Sequence, residues 1–181
     1  MLVLVTGGAR SGKSTAAVEA ARHSGRPVTF LATAAAGDRE MAERIALHRA
    51  ERPETWATVE APTELSDTLA AIDPEHCVIV DCLSLWISNL LLADDGSELG
   101  TAELDRYLDG VLEVLHDRPG PTIVVSNEVG SGIVPDNALA RTYRDLLGRA
   151  NQRIAGAADA AYLAVAGRLL ALTDPSESLR V

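Results

Sequence analysis

The sequence predicts an α/β fold, a mainly parallel sheet flanked by helices, and three observations carry that expectation. Short apolar runs alternate with longer segments of helical periodicity along the chain. Three of those runs, Leu2 to Thr6, Cys77 to Val80 and Thr122 to Val125, have the apolar and β-branched character of strands covered on both faces. Polar clusters follow directly behind Val5, Ala32, Val80 and Val125, and open parallel sheets bind ligands outside the carboxyl ends of their strands.

Each element has its own signal. The first strand, Leu2 to Thr6, runs into a glycine-rich turn, and a helix follows from about Lys13 to His23, where Ser24-Gly25 and Pro27 stop it. Val28 to Ala32 is β-branched and aromatic enough for a second strand. Asp38 is placed to cap a helix with Met41, Ile45 and His48 at helical spacing, ended by Pro53. A weak strand from Trp56 to Val59 and a helix from Thr63 to Ile72 come next, then the Asp73-Pro74 turn and the buried strand Cys77 to Val80, closed by Asp81. Leu83 to Leu92 is a strongly apolar helix, rich enough to lie in the core or against another subunit, and Asp94 to Ser97 is an exposed loop. Thr101 to Leu115 carries Leu104, Leu108, Val111, Leu112 and Leu115 on one helical stripe. After the strand Thr122 to Val125 and the loop Gly130 to Pro135, Asp136 is expected to start a long helix reaching about Ala157. Ala161 to Val165 and Leu169 to Leu172, split by Gly167, read as a final pair of strands with the spacing of a hairpin. Residues 174–181 read as a polar tail.

Size and charge limit the possible roles. At 181 residues, 47% of them hydrophobic, a single domain over residues 1–181 suffices without disulfide or structural metal, since a core of this size buries roughly 70% of the unfolded chain's surface. No apolar run approaches the about 20 residues of a membrane span, and the amino-terminal segment lacks the basic region of a signal peptide, so a cytoplasmic protein is expected. Cys77 and Cys82, expected on opposite faces of one buried strand, read as packing residues of a reducing compartment. A net charge of −10 repels nucleic acid and anionic lipid. Among 16 cations, Lys13 is the only lysine, which suggests a position that needs an ammonium.

The strongest chemical signal is Gly7-Gly8-Ala9-Arg10-Ser11-Gly12-Lys13-Ser14, which satisfies G-x-x-x-x-G-K-[ST] between an expected strand and an expected helix. In that context the loop is a P-loop. Its backbone N–H groups curl around a polyphosphate at a helix N-terminus, Lys13 reaches the β- and γ-phosphates, and Ser14 holds Mg²⁺. Asp81, ending a buried strand, sits at the position of a Walker-B carboxylate that holds Mg²⁺ directly or through water, the plainer alternative being a helix cap. Asn127, Glu128 and the Gly130 to Pro135 loop suit a site wall, with Glu128 a nucleotide-binding candidate and a tight strand-to-helix connection as the alternative. His23, His76 and His116 lie at element ends without a motif around them and read as structural or exposed. Trp56 and Trp86 read as core or interface residues.

GGARSGKS at 7–14, HRAERPETW at 48–56, SNEVGSGIVP at 126–135 and NQRIAGAAD at 151–159 together resemble the bifunctional adenosylcobinamide kinase and adenosylcobinamide-phosphate guanylyltransferase of cobalamin biosynthesis, the CobU family. The resemblance runs from Leu2 to about Val165. It implies a RecA-like P-loop NTPase topology, a homotrimer, and two reactions with ATP or GTP as substrates. A nucleoside triphosphate phosphorylates the aminopropanol hydroxyl of adenosylcobinamide, and GTP then donates GMP to that phosphate, releasing pyrophosphate. The guanylyl step is understood to pass through a histidine adduct, and the matching position is His48. Some relatives have a second histidine just before it, where this chain has Leu47.

The chemistry of His48 suits that role. A neutral imidazole is a good nucleophile near pH 7, and attack on an α-phosphorus gives a labile phosphoramidate. Arg49 and Arg52, within a helical turn, are placed to offset the developing phosphate charge and are counted with the nucleotide-binding residues. Two other readings compete. In an ordinary small-molecule kinase, Arg44, Arg49 and Arg52 form a phosphate-clamping lid and His48 makes no covalent bond. A nucleotide-dependent switch of the N-K-x-D kind requires a second lysine, which the chain lacks.

Overall fold

The computed structural model describes residues 1–34, 49, 52–93 and 99–178. Within them, seven strands form one sheet in the order β3-β2-β4-β5-β1-β6-β7. The strands are β1 (Leu2–Gly7), β2 (Val28–Ala32), β3 (Ala57–Glu60), β4 (Cys77–Asp81), β5 (Thr122–Val125), β6 (Ala160–Val165) and β7 (Arg168–Leu172). Every pairing is parallel except the last, in which β7 runs antiparallel to β6 with Val165 opposite Arg168. The helices are α1 (Lys13–Arg22), α2 (Leu65–Ala71), α3 (Leu83–Leu91), α4 (Thr101–Asp117), α5 (Ala138–Ala157) and the short α6 (Pro175–Ser178).

Alternation along the central strands feeds two cores. Leu4, Val78, Val80 and Val124 pack with the apolar stripes of α2, α3, α4 and α5. Val5, Ile79, Ile123 and Val125 point to the other face, where Ala17 and Ala21 bring α1 close to the sheet. Small residues on α1 let its axis approach, and this fixes the glycine-rich turn above the end of β1.

The expected elements appear with small shifts. The strand expected from Trp56 is Ala57–Glu60, and Trp56 packs beneath it against the α1-side core. The long helix is capped by Asn137, whose Oδ1 accepts from the Ala140 N–H at 3.1 Å, and not by Asp136. Asp136 lies one residue too early for its carboxylate to meet a first-turn N–H group. The apolar excess of α3 is used in the core, since Leu83, Trp86, Ile87 and Leu90 are all buried. Cys82 corrects the expectation of opposite faces: it lies past the end of β4, where strand alternation no longer applies, and packs in the same cluster as Cys77. Both thiols are buried and free. The helix expected after Asp38 and the loop at Asp94 to Ser97 lie outside the described residues. No described helix is long and apolar enough to cross a membrane.

Candidate active site

The loop between β1 and α1 has the backbone that polyphosphate binding demands. Arg10 and Gly12 are left-handed, at φ 56° and 95°, and the Ser11 N–H donates to the Gly8 carbonyl at 3.3 Å. Gly12 caps α1 and has no side chain to satisfy the first turn, so an anion seated there takes the place of a cap. The Lys13 ammonium folds over the loop and donates to the Gly8 carbonyl at 3.0 Å. Ser11 Oγ is buried in the loop and has no hydrogen-bond partner among the described residues.

A cavity of about 230 Å³ opens beside this loop. Lys13, Ser14 and Asp81 line it from the phosphate-loop side, and Arg49 and Arg52 line it from the segment ahead of β3. Five residues singled out in the sequence, far apart in the chain, thus share one wall. Ser14, Asp81 and Arg52 also line an adjoining cavity of about 200 Å³ along α1. Parallel strand order explains the convergence: β4 and β1 flank β5, so their carboxyl ends deliver Asp81, the P-loop and Asn127 to the same rim.

Hard oxygen donors are what the site offers a cation. Ser14 contributes a hydroxyl and Asp81 a carboxylate to both cavities. Among the described residues no group of three or more His, Cys, Asp or Glu side chains converges. An ion here would draw its remaining ligands from water and phosphate, which suits Mg²⁺.

Some members of the site carry no motif of their own. The Arg52 guanidinium lies 3.1 Å from the centroid of the Phe30 ring, a stacking that fixes its direction into the cavity. Thr58 and Glu60 on β3 and Leu85 on α3 add to the lining. Glu60 ends a parallel strand, and that position was the available signal. Asn127 lines the cavity as expected of the wall after β5, held by a 2.9 Å bond from its Nδ2 to Ser84 Oγ. Asn151 supports it from α5, donating to the Asn127 carbonyl at 3.0 Å and accepting from Ser126 Oγ at 2.6 Å.

Glu128 behaves differently from its neighbour. Its carboxylate accepts from the Gly130 and Ser131 N–H groups and closes its own loop, and it is not part of the cavity lining. Its backbone N–H still donates to the Gly7 carbonyl at 3.1 Å. His48 and Arg44 lie outside the described residues. Of the other histidines, His23 donates from Nδ1 to the Glu19 carbonyl at the end of α1, and His76 bonds Thr29 Oγ1 at 2.9 Å. The Cys82 thiol, on the cavity wall beside Ser84, is pushed above its ordinary range by burial and then by the neighbouring Asp81 carboxylate. It is therefore a protonated, packed group rather than a nucleophile.

The family model described as cobinamide kinase / cobinamide phosphate guanyltransferase matches residues 3–172. The chain belongs to that family. Within it, the bifunctional adenosylcobalamin biosynthesis protein CobP of Pseudomonas aeruginosa is 47% identical over 165 residues, covering 91% of this chain and 92% of that protein. The CobU protein of Salmonella typhimurium is 42% identical over 177 residues, covering 92% and 97%. Solved structures similar in fold are a type III secretion ATPase, with TM-score 0.57, 12% identity and 98% of this chain covered against 53% of that one, and the RadB recombinase, with TM-score 0.50, 21% identity and 90% against 73%. These likenesses show the P-loop NTPase fold. Membership of the cobinamide kinase / guanyltransferase family makes the chain a transferase of cobalamin biosynthesis that uses nucleotides.

Proposed function

We propose that one cavity serves both reactions, phosphorylation of adenosylcobinamide and transfer of GMP to adenosylcobinamide-phosphate. The observation that carries this reading is the shared wall of Lys13, Ser14, Arg49, Arg52 and Asp81. In the first reaction the aminopropanol hydroxyl oxygen attacks the γ-phosphorus of a nucleoside triphosphate. The bond to the β,γ-bridging oxygen breaks, the nucleoside diphosphate leaves, and the hydroxyl proton is released. Loop N–H groups from Gly7 to Ser14 hold the phosphates while the Lys13 ammonium offsets charge on the β- and γ-oxygens.

In the second reaction a His48 ring nitrogen attacks the α-phosphorus of GTP, and the α,β-bridging oxygen leaves with pyrophosphate. The phosphate oxygen of adenosylcobinamide-phosphate then attacks the same phosphorus, the P–N bond breaks, and the imidazole is restored. Arg49, next in the chain to His48, and Arg52, braced on Phe30, supply guanidinium groups to the phosphates. Mg²⁺ bound by Ser14 and Asp81 would add further charge neutralisation. The Glu60 carboxylate suits the guanine edge, because it accepts from N1–H and the 2-amino group together and repels the acceptor nitrogen of adenine. A homotrimer is part of the same reading, carried by the family resemblance, and so is the cytoplasmic location expected from the sequence.

Label retention tests it. Label from α-³²P GTP should stay with the denatured protein as an acid-labile, alkali-stable adduct, and label from γ-³²P GTP should not. His48→Ala should lose the label and the pyrophosphate-releasing step while keeping kinase activity. GMP label on another residue in that variant would reverse the assignment.

A further inference from the structure

The P-loop is held on a flank that takes no part in the cavity. β1 and β6 pair in parallel as far as Gly7 opposite Ala164, and a Cβ on Gly7 would meet the Ala164 carbonyl oxygen at 2.5 Å. Beyond β6 the chain reverses through Ala166 and Gly167, both left-handed at φ 50° and 74°, the conformation of a two-residue hairpin turn. This reversal brings the turn back over the loop. The Gly167 N–H donates to the Ser11 carbonyl at 2.9 Å, and a Cβ on Gly12 would lie 3.0 Å from the Gly167 Cα. Two glycines therefore meet backbone to backbone at the residues just before Lys13. None of the hairpin's residues lines the cavity between Lys13 and Asp81.

We propose that the β6–β7 turn is a positioning element for the phosphate loop, with Gly167 as its contact residue. The Ser11 carbonyl must point away from an incoming polyphosphate for the neighbouring N–H groups to point toward it. The Gly167 N–H fixes that carbonyl outward, so loop geometry and hairpin order are coupled in both directions. The inference rests on the reading of Gly7 to Ser14 as the triphosphate site. Its chemistry is a ground-state one: a displaced turn weakens phosphate binding in substrate and transition state alike, which raises KM and leaves kcat in place.

Hydrogen exchange on the wild-type protein with Mg²⁺, with and without saturating GTP, tests it directly. Peptides spanning residues 7–14 and 164–170 should both gain protection, while the Ser24 to Pro27 turn at the other end of α1 should not. Protection of the loop without the hairpin overturns the coupling and leaves the triphosphate site standing. Protection of neither overturns the site itself. Substitution adds a second arm. Gly167→Asn keeps a left-handed turn that asparagine tolerates, and a Cβ there meets no atom within 4 Å. Gly167→Val cannot hold it. The valine variant should raise the KM for GTP about tenfold with kcat within about twofold, and the asparagine variant should stay within about twofold on both. An unchanged KM in a folded valine variant, or equal losses in kcat and in the KM of both substrates, would overturn the proposal. If that variant does not fold, the exchange result on the wild type decides.

Discussion

Lys13 shows how much a single side chain can reveal from its place in the sequence. It is the only lysine of the chain, it completes the glycine-rich motif, and its ammonium lies over the loop it was expected to serve. Lys13→Ala should reduce phosphoryl transfer by at least roughly 10²-fold, as loss of a positioned charge stabiliser does, while circular dichroism melting stays near that of the wild type. Near-normal turnover would remove the lysine from the mechanism. Asp81→Asn should raise the Mg²⁺ concentration needed for half-maximal activity more than it lowers the melting temperature, and an unchanged metal requirement would make Asp81 a cap. Other residues could not be read this way. Glu128 stands in the same motif as Asn127, and only the local turn decides that its carboxylate closes on Gly130 and Ser131. Arg118 carries no sequence signal among the arginines, yet its buried guanidinium donates to the carbonyls of Leu69, Ile72, Asp73 and His76. Its role depends on four acceptors in the single stretch 69–76, far from it in the sequence, which no local pattern encodes.

At the scale of elements, periodicity located the helices well because their apolar stripes face a sheet, whereas caps depended on single hydrogen bonds, as Asn137 shows. What periodicity did not reveal was how the helices are fastened to one another. Between α4 and α5 a ladder of charges does this: Arg149 makes two bonds to Asp105 at 2.8 and 2.6 Å, and Arg153 bridges Asp105 and Asp109. The Asp105 carboxyl is held below its ordinary range, first by the hydrogen bond from Arg149. A carboxyl depressed in the folded state adds stability above its unfolded value of 3.8, and loses it as pH falls through the folded value. Asp105→Asn should therefore melt below the wild type at neutral pH, and the gap should close in acid, beneath the ordinary carboxylate range. Parallel melting curves across that whole series would show that the ladder adds nothing. Arg118→Met, which takes the guanidinium donors away from the Leu69 and Ile72 carbonyls at the end of α2, should cost about 1–3 kcal/mol in denaturant unfolding.

The strand order of the whole sheet was not legible, because the neighbour of a strand is chosen by packing across long sequence separations. The fold class was legible, and so was the final hairpin, since Gly167 splits two apolar runs at turn spacing. That hairpin sets the last question, the state of assembly. β7 is an edge strand with all five residues exposed, and Leu169, Leu170 and Leu172 are 47%, 62% and 43% accessible. Val165 on β6 adds to the same hairpin at 57%. An apolar edge strand invites pairing unless something covers it, and a chain of net charge −10 does not cover it by chance with a like-charged copy. Specific contact is needed, and the homotrimer proposed above would supply the occupant. Light scattering at micromolar concentration should return a mass near three times the 19.1 kDa of one chain. Leu170→Asp places a charge on the exposed strand without touching the Gly167 bond to Ser11, so it should shift the mass toward a single chain and leave nucleotide binding in place. A wild type that scatters as one chain would refute the trimer. A Leu170→Asp variant that keeps the wild-type mass would instead move the interface off this strand, with the exposed apolar pair Ile133 and Val134 a further candidate.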